Sequence, residues 1–215
     1  MNVLFATSEC YPFATSGGLG DVSSALPKAL NKNGVDCRVV MPLYGDIKQE
    51  YRAKMKFLTD FKVPLAWREQ YCGLFTLSYE GVQYYFLDNE QYFKRNGLYG
   101  YYDDGERYAF FSRALLEMLR HVDFAPEIIH TNDWQSALAN VYINKFYRGD
   151  PKFYSIKTLI TIHNIQYQGK YGKEILKDVV GIDEGYASDL EYGGCINFLK
   201  GAIECSDKVN TVSPT

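Results

Sequence analysis

Continuous apolar runs alternate along the chain with longer segments in which apolar residues recur every three or four positions. A continuous apolar run that ends in polar residues is typical of a strand buried in a parallel sheet. Five such strands are predicted: VLFATS (3–8), CRVVMP (37–42), EIIHTND (127–133), KTLITIHN (157–164) and KVNTVS (208–213).

The amphipathic segments predict helices between these strands. The first helix is predicted to begin at Leu19 and to end at Gly34. Three further helices are predicted at 106–122, 134–147 and 196–206. Pro27 lies inside the first helix and predicts a kink or a late start there. Strands that alternate with helices predict an α/β fold, here a Rossmann-like, doubly wound and mostly parallel sheet.

Residues 54–88 follow a different pattern, in which apolar and polar residues alternate and β-formers dominate. A Glu80-Gly81 turn separates the last two runs, so we predict an antiparallel hairpin inserted at an edge of the sheet. A loop rich in glycine and tyrosine follows at 96–106. Repeats, low-complexity segments and linkers are absent from the sequence, and we predict one domain over residues 1–215.

Composition and charge narrow the class of protein. The 215 residues are 47% hydrophobic and 16% aromatic, which is typical of a globular domain, and the net charge of −3 offers no basic field for nucleic acid. No apolar stretch approaches the roughly 20 residues of a membrane span. The five cysteines are odd in number without a Cys-x-x-Cys motif, and no signal-peptide pattern opens the sequence. We therefore expect a cytoplasmic protein with free thiols and no membrane partner.

Polar side chains collect where three predicted strands end. Thr7-Ser8-Glu9 closes the first strand, His130-Thr131-Asn132-Asp133 another, and His163-Asn164 a third. Ligands of open α/β sheets bind beyond the carboxyl ends of the strands, so these groups are expected to converge on a small molecule. Each alone is also what a simple helix cap looks like.

Gly17-Gly18, in ECYPFATSGGLGDVSSALPKAL (9–30), stands between a strand and a helix. Backbone N–H groups at a helix N-terminus form an anion site, and the alternative is a tight turn without a ligand. The loop is neither G-x-G-x-x-G nor a P-loop, which disfavours an NAD-dependent oxidoreductase.

Five motifs, in this order, resemble the N-terminal domain of bacterial glycogen synthase and plant starch synthase. They are SECYPFATSGGLGDVSSALPKAL, LYGYYDDGERYAFFSRALLE, PEIIHTNDWQSAL, TIHNIQYQGKY and VNTVSPT. The resemblance implies the N-terminal half of a GT-B glycosyltransferase, in which two Rossmann-like domains face each other across a cleft. It implies transfer of glucose from ADP-glucose to the non-reducing end of an α-1,4-glucan, with retention of configuration, no metal, and no cofactor besides the donor substrate.

The resemblance also assigns roles to residues. Asp21 and His163 would be catalytic; Thr15, Gly17, Gly18 and Asn164 would bind the donor; Glu9, Tyr99 and Asp133 would bind the acceptor glucan. The carbonyl of His163 would face the anomeric carbon, where positive charge develops. Asp21 could instead complement a helix dipole, His163 could be a core histidine, and Tyr99 could be an ordinary aromatic residue.

The sequence departs from the family pattern in two places. Thr15 stands where the family usually has a lysine that assists the phosphates. The chain ends at Thr215, where the family continues into the nucleotide-sugar domain, so we expect residues 1–215 to be the acceptor-side domain, with its C-terminal partner absent from this chain. Such a domain should fold but not synthesise glucan alone. A stand-alone glycan-binding domain without catalysis is the alternative.

Overall fold

The computed structural model describes residues 1–212. Its strands are β1 (Asn2–Ala6), β2 (Asp36–Pro42), β3 (Lys56–Leu65), β4 (Arg68–Tyr79), β5 (Val82–Asp88), β6 (Ile128–Asn132), β7 (Lys157–Ile162), β8 (Lys170–Tyr171), β9 (Glu191–Tyr192), β10 (Cys195–Asn197) and β11 (Lys208–Thr211). Its α-helices are α1 (Gly18–Lys32), α2 (Gln49–Arg52), α3 (Glu90–Phe93), α4 (Asp104–Glu117), α5 (Asp133–Tyr142), α6 (Ala187–Leu190) and α7 (Phe198–Cys205). Shorter 3-10 or π turns cover Met118–Arg120, Ile143–Tyr147, Leu176–Val180 and Glu184–Tyr186.

The main sheet has the strand order β11-β7-β6-β1-β2-β5-β4-β3. Strands β11 through β5 in that order pair in parallel, and β4 and β3 add antiparallel. From β1 the chain first builds outward through β2 and later returns to β6 on the other side. The strand order therefore reverses between β1 and β6, and this is the place where open α/β sheets bind their ligands.

The sheet confirms the predicted α/β fold, with its mostly parallel strands and its antiparallel insertion. The predicted turn is also present: Glu80 and Gly81 both have positive φ, 48° and 78°, as the two-residue turn of a tight hairpin requires. Tyr79 and Val82 pair on either side of it. The small antiparallel sheet β8-β10-β9 was not predicted.

Some boundaries differ from the prediction for local reasons. Helix α1 begins at Gly18 with Pro27 inside it, so the late start is wrong. The predicted helix at 196–206 is a strand followed by a helix, because the Asn197 side chain accepts a hydrogen bond from the Lys200 N–H and caps α7. Residues before that cap are extended and pair with β8 and β9. The predicted last strand reached residue 213, which lies outside the described residues.

Helices cover both faces of the parallel strands, and the core between them is rich in aromatic side chains. Phe5, Tyr44, Phe86, Phe110 and Phe111 are all fully buried. Within residues 1–212, no helix has the length and apolar character needed to cross a membrane.

Candidate active site

A cavity of about 910 Å³ opens beyond the carboxyl ends of β1, β6 and β7, where the strand order reverses. Of the residues that the sequence analysis assigned to a site, those that line it are Glu9, Gly17, Gly18, Tyr99, Asp133, His163 and Asn164. Residues from four separate segments therefore meet at one concave surface, and three of these segments are the expected strand ends.

The carboxylate of Glu9 organises the loop between β1 and α1. It accepts hydrogen bonds from the Ser16 N–H (2.5 Å), the Gly17 N–H (3.0 Å), the Ser16 hydroxyl (2.8 Å) and the Tyr99 hydroxyl (2.7 Å). Tyr99 also shares a hydrogen bond of 2.7 Å with the Ser8 hydroxyl. Glu9 is buried, and with four protein donors around it its carboxylate serves first to hold the loop.

An aromatic cluster anchors the same loop from below. The ring of Phe13 is buried and meets four rings edge-on, with centroid distances from 4.9 to 5.6 Å. The four rings belong to Tyr51, Tyr79, Tyr84 and Phe86. Edge-to-face pairs of this kind add to the apolar burial that fixes the loop over the sheet.

The fold itself does not require the glycine pair. Gly17 has an extended backbone, with φ of −162° and ψ of −166°, and Gly18 is the first residue of α1. A Cβ placed on either glycine would meet no other heavy atom within 4 Å. The missing side chains therefore leave open space on the cavity wall rather than relieve a clash within the protein.

The hydrogen bonds change the predicted anion site. The Gly17 N–H already donates to Glu9 and is therefore not available to a ligand. Gly18 and Leu19 begin α1, and N–H groups in the first turn of a helix have no intrahelical acceptor. The N–H groups that can meet an anion are thus those of Gly18 and Leu19, at the positive end of the helix dipole.

A buried ion pair shapes the loop that carries Tyr99. The Arg107 side chain is fully buried and donates to Asp104 Oδ1 (2.5 Å) and to the Leu98 carbonyl (3.1 Å). Asp104 Oδ2 accepts hydrogen bonds from the N–H groups of Gly100 (2.8 Å) and Tyr101 (3.2 Å). These hydrogen bonds tie the loop that carries Tyr99 to the buried start of α4.

Asp133 occupies the junction between β6 and α5 with a φ of 54°, in the left-handed region that non-glycine residues seldom adopt. Its Oδ1 accepts hydrogen bonds from the backbone N–H groups of His163 (2.8 Å) and Asn164 (3.2 Å). Burial raises the pKa of the Asp133 carboxyl, and the two N–H donors oppose that rise. A strained backbone at a cavity wall is typical of functional positions. Here it places the Asp133 carboxylate where its hydrogen bonds hold the end of β7.

His163 directly follows β7 and faces the cavity with part of its surface. Its Nε2 lies 2.9 Å from Asn132 Oδ1. Burial lowers the pKa of the His163 imidazole, and the nearby charge of Asp133 opposes this shift. His130, which the sequence analysis grouped with the same strand ends, does not line the cavity; it is buried in the sheet and contacts Thr161.

The sequence matches the model of the starch synthase catalytic domain family over residues 2–215. The chain belongs to the starch synthase catalytic domain family. It is 54% identical to the glycogen synthase of Caldicellulosiruptor saccharolyticus and 50% identical to that of Clostridium novyi, and each alignment covers 100% of this chain and 46% of the relative. The chain therefore spans about half the length of these relatives.

Solved structures agree with this membership. The catalytic domain of starch synthase IV from Arabidopsis thaliana, bound to ADP and acarbose, superimposes with a TM-score of 0.90 at 31% identity. That match covers 100% of this chain and 45% of the plant protein. A sucrose-phosphate synthase from Thermosynechococcus elongatus has a TM-score of 0.57 at 14% identity, over 99% of this chain and 42% of that one, and shares the fold alone.

Two residues to which the starch synthase resemblance assigns roles lie outside the cavity lining. Thr15 is exposed, and its Cγ2 would lie 2.4 Å from a Cβ placed on Gly20, so its methyl group covers that glycine. Asp21 is exposed on the first turn of α1, next to Val22, which does line the cavity. Both are neighbours of the glycine pair along the chain rather than parts of the wall.

In this starch synthase domain the cavity also contains residues that sequence reasoning missed. Trp134 and Gln135 line it, and the Gln135 carboxamide oxygen is buried without a hydrogen-bond partner among residues 1–212. Both follow Asp133 in the sequence DWQ, and this proximity was the available signal. Asn132, which the sequence analysis grouped with the strand ends, does not line the cavity but contacts His163. In the part of the chain that the structure describes, no three His, Cys, Asp or Glu side chains are placed to share a metal ion.

Proposed function

We propose that the protein containing this chain transfers glucose from ADP-glucose to the non-reducing 4-hydroxyl of an α-1,4-glucan, with retention of configuration. In this proposal, residues 1–215 are the N-terminal, acceptor-side domain of a GT-B fold, and a second domain completes the cleft. The observation that carries it is the convergence of Glu9, the glycine pair, Asp133 and His163 on one cavity at the switch point of the sheet. Family membership and the ADP and acarbose bound to the plant relative support the same chemistry.

The start of α1 suits the diphosphate of the donor. The first-turn N–H groups of Gly18 and Leu19, together with the helix dipole, favour a negative group there. The open space beside Gly17 and Gly18 lets phosphate oxygens approach the backbone closely. As the bond to the sugar breaks, the leaving diphosphate gains charge, and these donors stabilise it.

The end of β7 suits the transferred glucose. In a trans peptide the N–H and C=O point in opposite directions. Since the Asn164 N–H donates to Asp133, the His163 carbonyl points away from that carboxylate. A carbonyl oxygen fixed in this way is an electron-rich group that can stabilise positive charge at the anomeric carbon.

Glucan hydroxyls are assigned to the remaining polar groups of the wall. Asp133 keeps one carboxylate oxygen beyond the one that binds the backbone, and Gln135 has an unpartnered carboxamide oxygen. Tyr99 contributes through Glu9, whose position it fixes. The proposed catalytic role of Asp21 and the proposed donor contact of Thr15 are supported by the family resemblance alone.

The reaction in this proposal needs no metal and no cofactor besides the donor substrate, and it takes place in the cytoplasm. The five cysteines are free thiols, which supports a reducing compartment. Because the proposed reaction needs no metal, turnover should continue in the presence of a chelator.

The test is a transfer assay with the protein expressed with its native flanking sequence. Radiolabelled ADP-glucose and glycogen are supplied, with UDP-glucose in a parallel reaction, and residues 1–215 alone serve as the second protein. We expect label to enter α-1,4-linked glucan with the longer protein only, and preferentially from the ADP-linked donor. Glucan binding without any transfer by the longer protein would instead support a non-catalytic glycan-binding protein, and sustained transfer by residues 1–215 would overturn the domain assignment.

A further inference from the structure

We propose that Asn132 is a positioning residue that fixes the tautomer of His163, so that Nε2 carries the proton and Nδ1 is left as a hydrogen-bond acceptor. The proposed function enters only in naming what Nδ1 meets, a hydroxyl group of the bound sugar. The tautomer itself follows from contacts within the protein.

The first step is the orientation of the Asn132 amide. Its Nδ2 donates hydrogen bonds to the carbonyl oxygens of Ala6 (3.0 Å) and His130 (3.4 Å), and the residue is only 1% exposed. A flipped amide would place its oxygen against two carbonyl oxygens, where it could accept no hydrogen bond. The amide nitrogen therefore faces the strands, and Oδ1 faces His163.

The second step is the proton on His163. Asn132 Oδ1 lies 2.9 Å from Nε2, and an amide oxygen can only accept a hydrogen bond. The Nε2 atom must therefore carry hydrogen. Burial lowers the pKa of this imidazole, which favours the neutral ring with a bare Nδ1.

The third step is the fixed placement of the ring. Asn132 holds the side chain through Nε2, and the neighbouring Asp133 holds the backbone of His163 through its N–H. No group among residues 1–212 forms a hydrogen bond with Nδ1, and His163 lines the cavity. Because Nε2 is bound to Asn132, the ring engages a ligand by accepting a hydrogen bond at Nδ1.

Nitrogen-15 NMR measures the tautomer without any substrate. The protein, with its native flanking sequence, is labelled on histidine, and the His163 signals are assigned by their loss in His163→Gln. We expect Nε2 to resonate as a protonated and Nδ1 as an unprotonated imidazole nitrogen. A proton on Nδ1 in the neutral ring would overturn the proposal, whereas a protein that shows the expected tautomer but transfers no glucose would overturn only the proposed function.

Isosteric variants test the consequence for a ligand. In His163→Asn the amide lies near the position of Nδ1, and in His163→Gln it lies near the position of Nε2. We expect the asparagine variant to keep at least tenfold more activity than the glutamine variant, because it alone restores an acceptor at Nδ1. The reverse order would contradict the proposal.

Asn132→Asp adds a pH-dependent test. Its carboxylate still accepts from Nε2, but the negative charge favours a doubly protonated ring. Activity should then fall at neutral pH and recover as the pH is raised, with the acid limb of the profile moved upward by about one to three pH units. A loss that is equal at every pH would indicate a merely structural role and would overturn the proposal. Should this variant fail to fold, the NMR measurement and the His163 pair still decide.

Discussion

Two histidines in neighbouring parts of the sheet have similar hydrogen bonds and opposite surroundings. His130 lies within β6 and His163 directly after β7, and in each the Nε2 contacts a side-chain oxygen, of Thr161 at 2.6 Å and of Asn132 at 2.9 Å. His130 is 6% exposed and packs edge-on against Phe5, whereas His163 faces the cavity. The position relative to the strand end decides which histidine can meet a ligand.

The sheet absorbs the polar group that lies within it. Thr161 donates a hydrogen bond of 2.5 Å to Asn210 Oδ1, so its hydroxyl oxygen is left to accept from His130. A short chain of side-chain hydrogen bonds thus crosses β6, β7 and β11. Asn132, the last residue of β6, connects the two regions because its amide contacts both the His130 carbonyl and the His163 ring.

The sharpest way to break this comparison is to remove each ring in turn. His163→Ala should lower the turnover of the full-length protein roughly 100-fold or more, with a much smaller effect on glucan affinity, because its contacts matter most as charge develops in the transition state. His130→Ala should instead lower the free energy of unfolding by about 2–3 kcal/mol and leave the turnover of the folded fraction nearly intact. Steady-state kinetics and urea unfolding of both variants measure this. Normal turnover in His163→Ala would return that histidine to a structural role.

The buried histidine, His130, should also make the free energy of unfolding depend on pH. Burial lowers the pKa of His130 to about 4, and the charge of His163 adds to this effect. In the unfolded chain the imidazole titrates near 6.5, so between about pH 6.5 and 4 the unfolded state binds a proton that the folded state excludes. Stability is therefore lost as the pH falls through this window, by about 3 kcal/mol for this group, and the loss levels off below the folded pKa.

Urea unfolding of the wild-type chain and of His130→Gln at several pH values measures this contribution. The glutamine amide can still donate toward Thr161 but does not titrate, so the curve of stability against pH should flatten between pH 6.5 and 4. An unchanged curve would show that other groups govern the acid response.

The hydrophobic pattern of the sequence predicted the fold because its periodicity indicates which faces of the helices and strands are buried. The pattern also brought Glu9, Asp133 and His163 to one site, since the carboxyl ends of parallel strands meet at one edge of a sheet. It could not distinguish His130 from His163, because both stand near strand ends and the difference depends on where the strand stops. The sequence pattern also failed to predict the short strand β10, because apolar residues directly before a helix resemble the first turn of that helix.

Contacts between distant parts of the chain were also beyond the sequence pattern. The sequence identifies Glu9 as an acidic residue, but only the fold shows that Tyr99, ninety residues away, donates a hydrogen bond to it. Asn132 likewise acts on His163 thirty-one residues away. Such pairings depend on the tertiary fold, so the residue types predicted a polar site but not which of its members touch a ligand.

Two glycines offer a similar comparison, because Gly17 borders open space at the cavity and Gly169 packs against the Trp134 ring. Gly17→Ala should leave the free energy of unfolding nearly unchanged, because the new Cβ meets nothing within 4 Å, while the KM for ADP-glucose rises about tenfold, roughly 1.4 kcal/mol of lost binding. Gly169→Ala is the matched control: its φ is 63° and a Cβ would lie 2.6 Å from the Trp134 ring. That change should cost about 1–3 kcal/mol of stability. An unaltered KM in Gly17→Ala would show that the donor does not approach this backbone.

Thr15→Lys should have the smallest effect, a gain of about threefold to fivefold in affinity for ADP-glucose. Thr15 is exposed and covers Gly20 with its methyl group, and the first methylene groups of a lysine can take the same position. The ammonium group would then add a positive charge beside the first turn of α1, where the diphosphate is proposed to bind. Because an exposed charge is screened by solvent, its contribution is about 1 kcal/mol or less and should decline at high salt.

Isothermal titration of ADP-glucose into the wild-type protein, Thr15→Lys and the uncharged Thr15→Met, at low and high salt, measures this contribution. Equal affinities would mean that another cation already neutralises the phosphates or that they bind away from this loop, and a gain shared by the methionine variant would trace it to packing rather than charge.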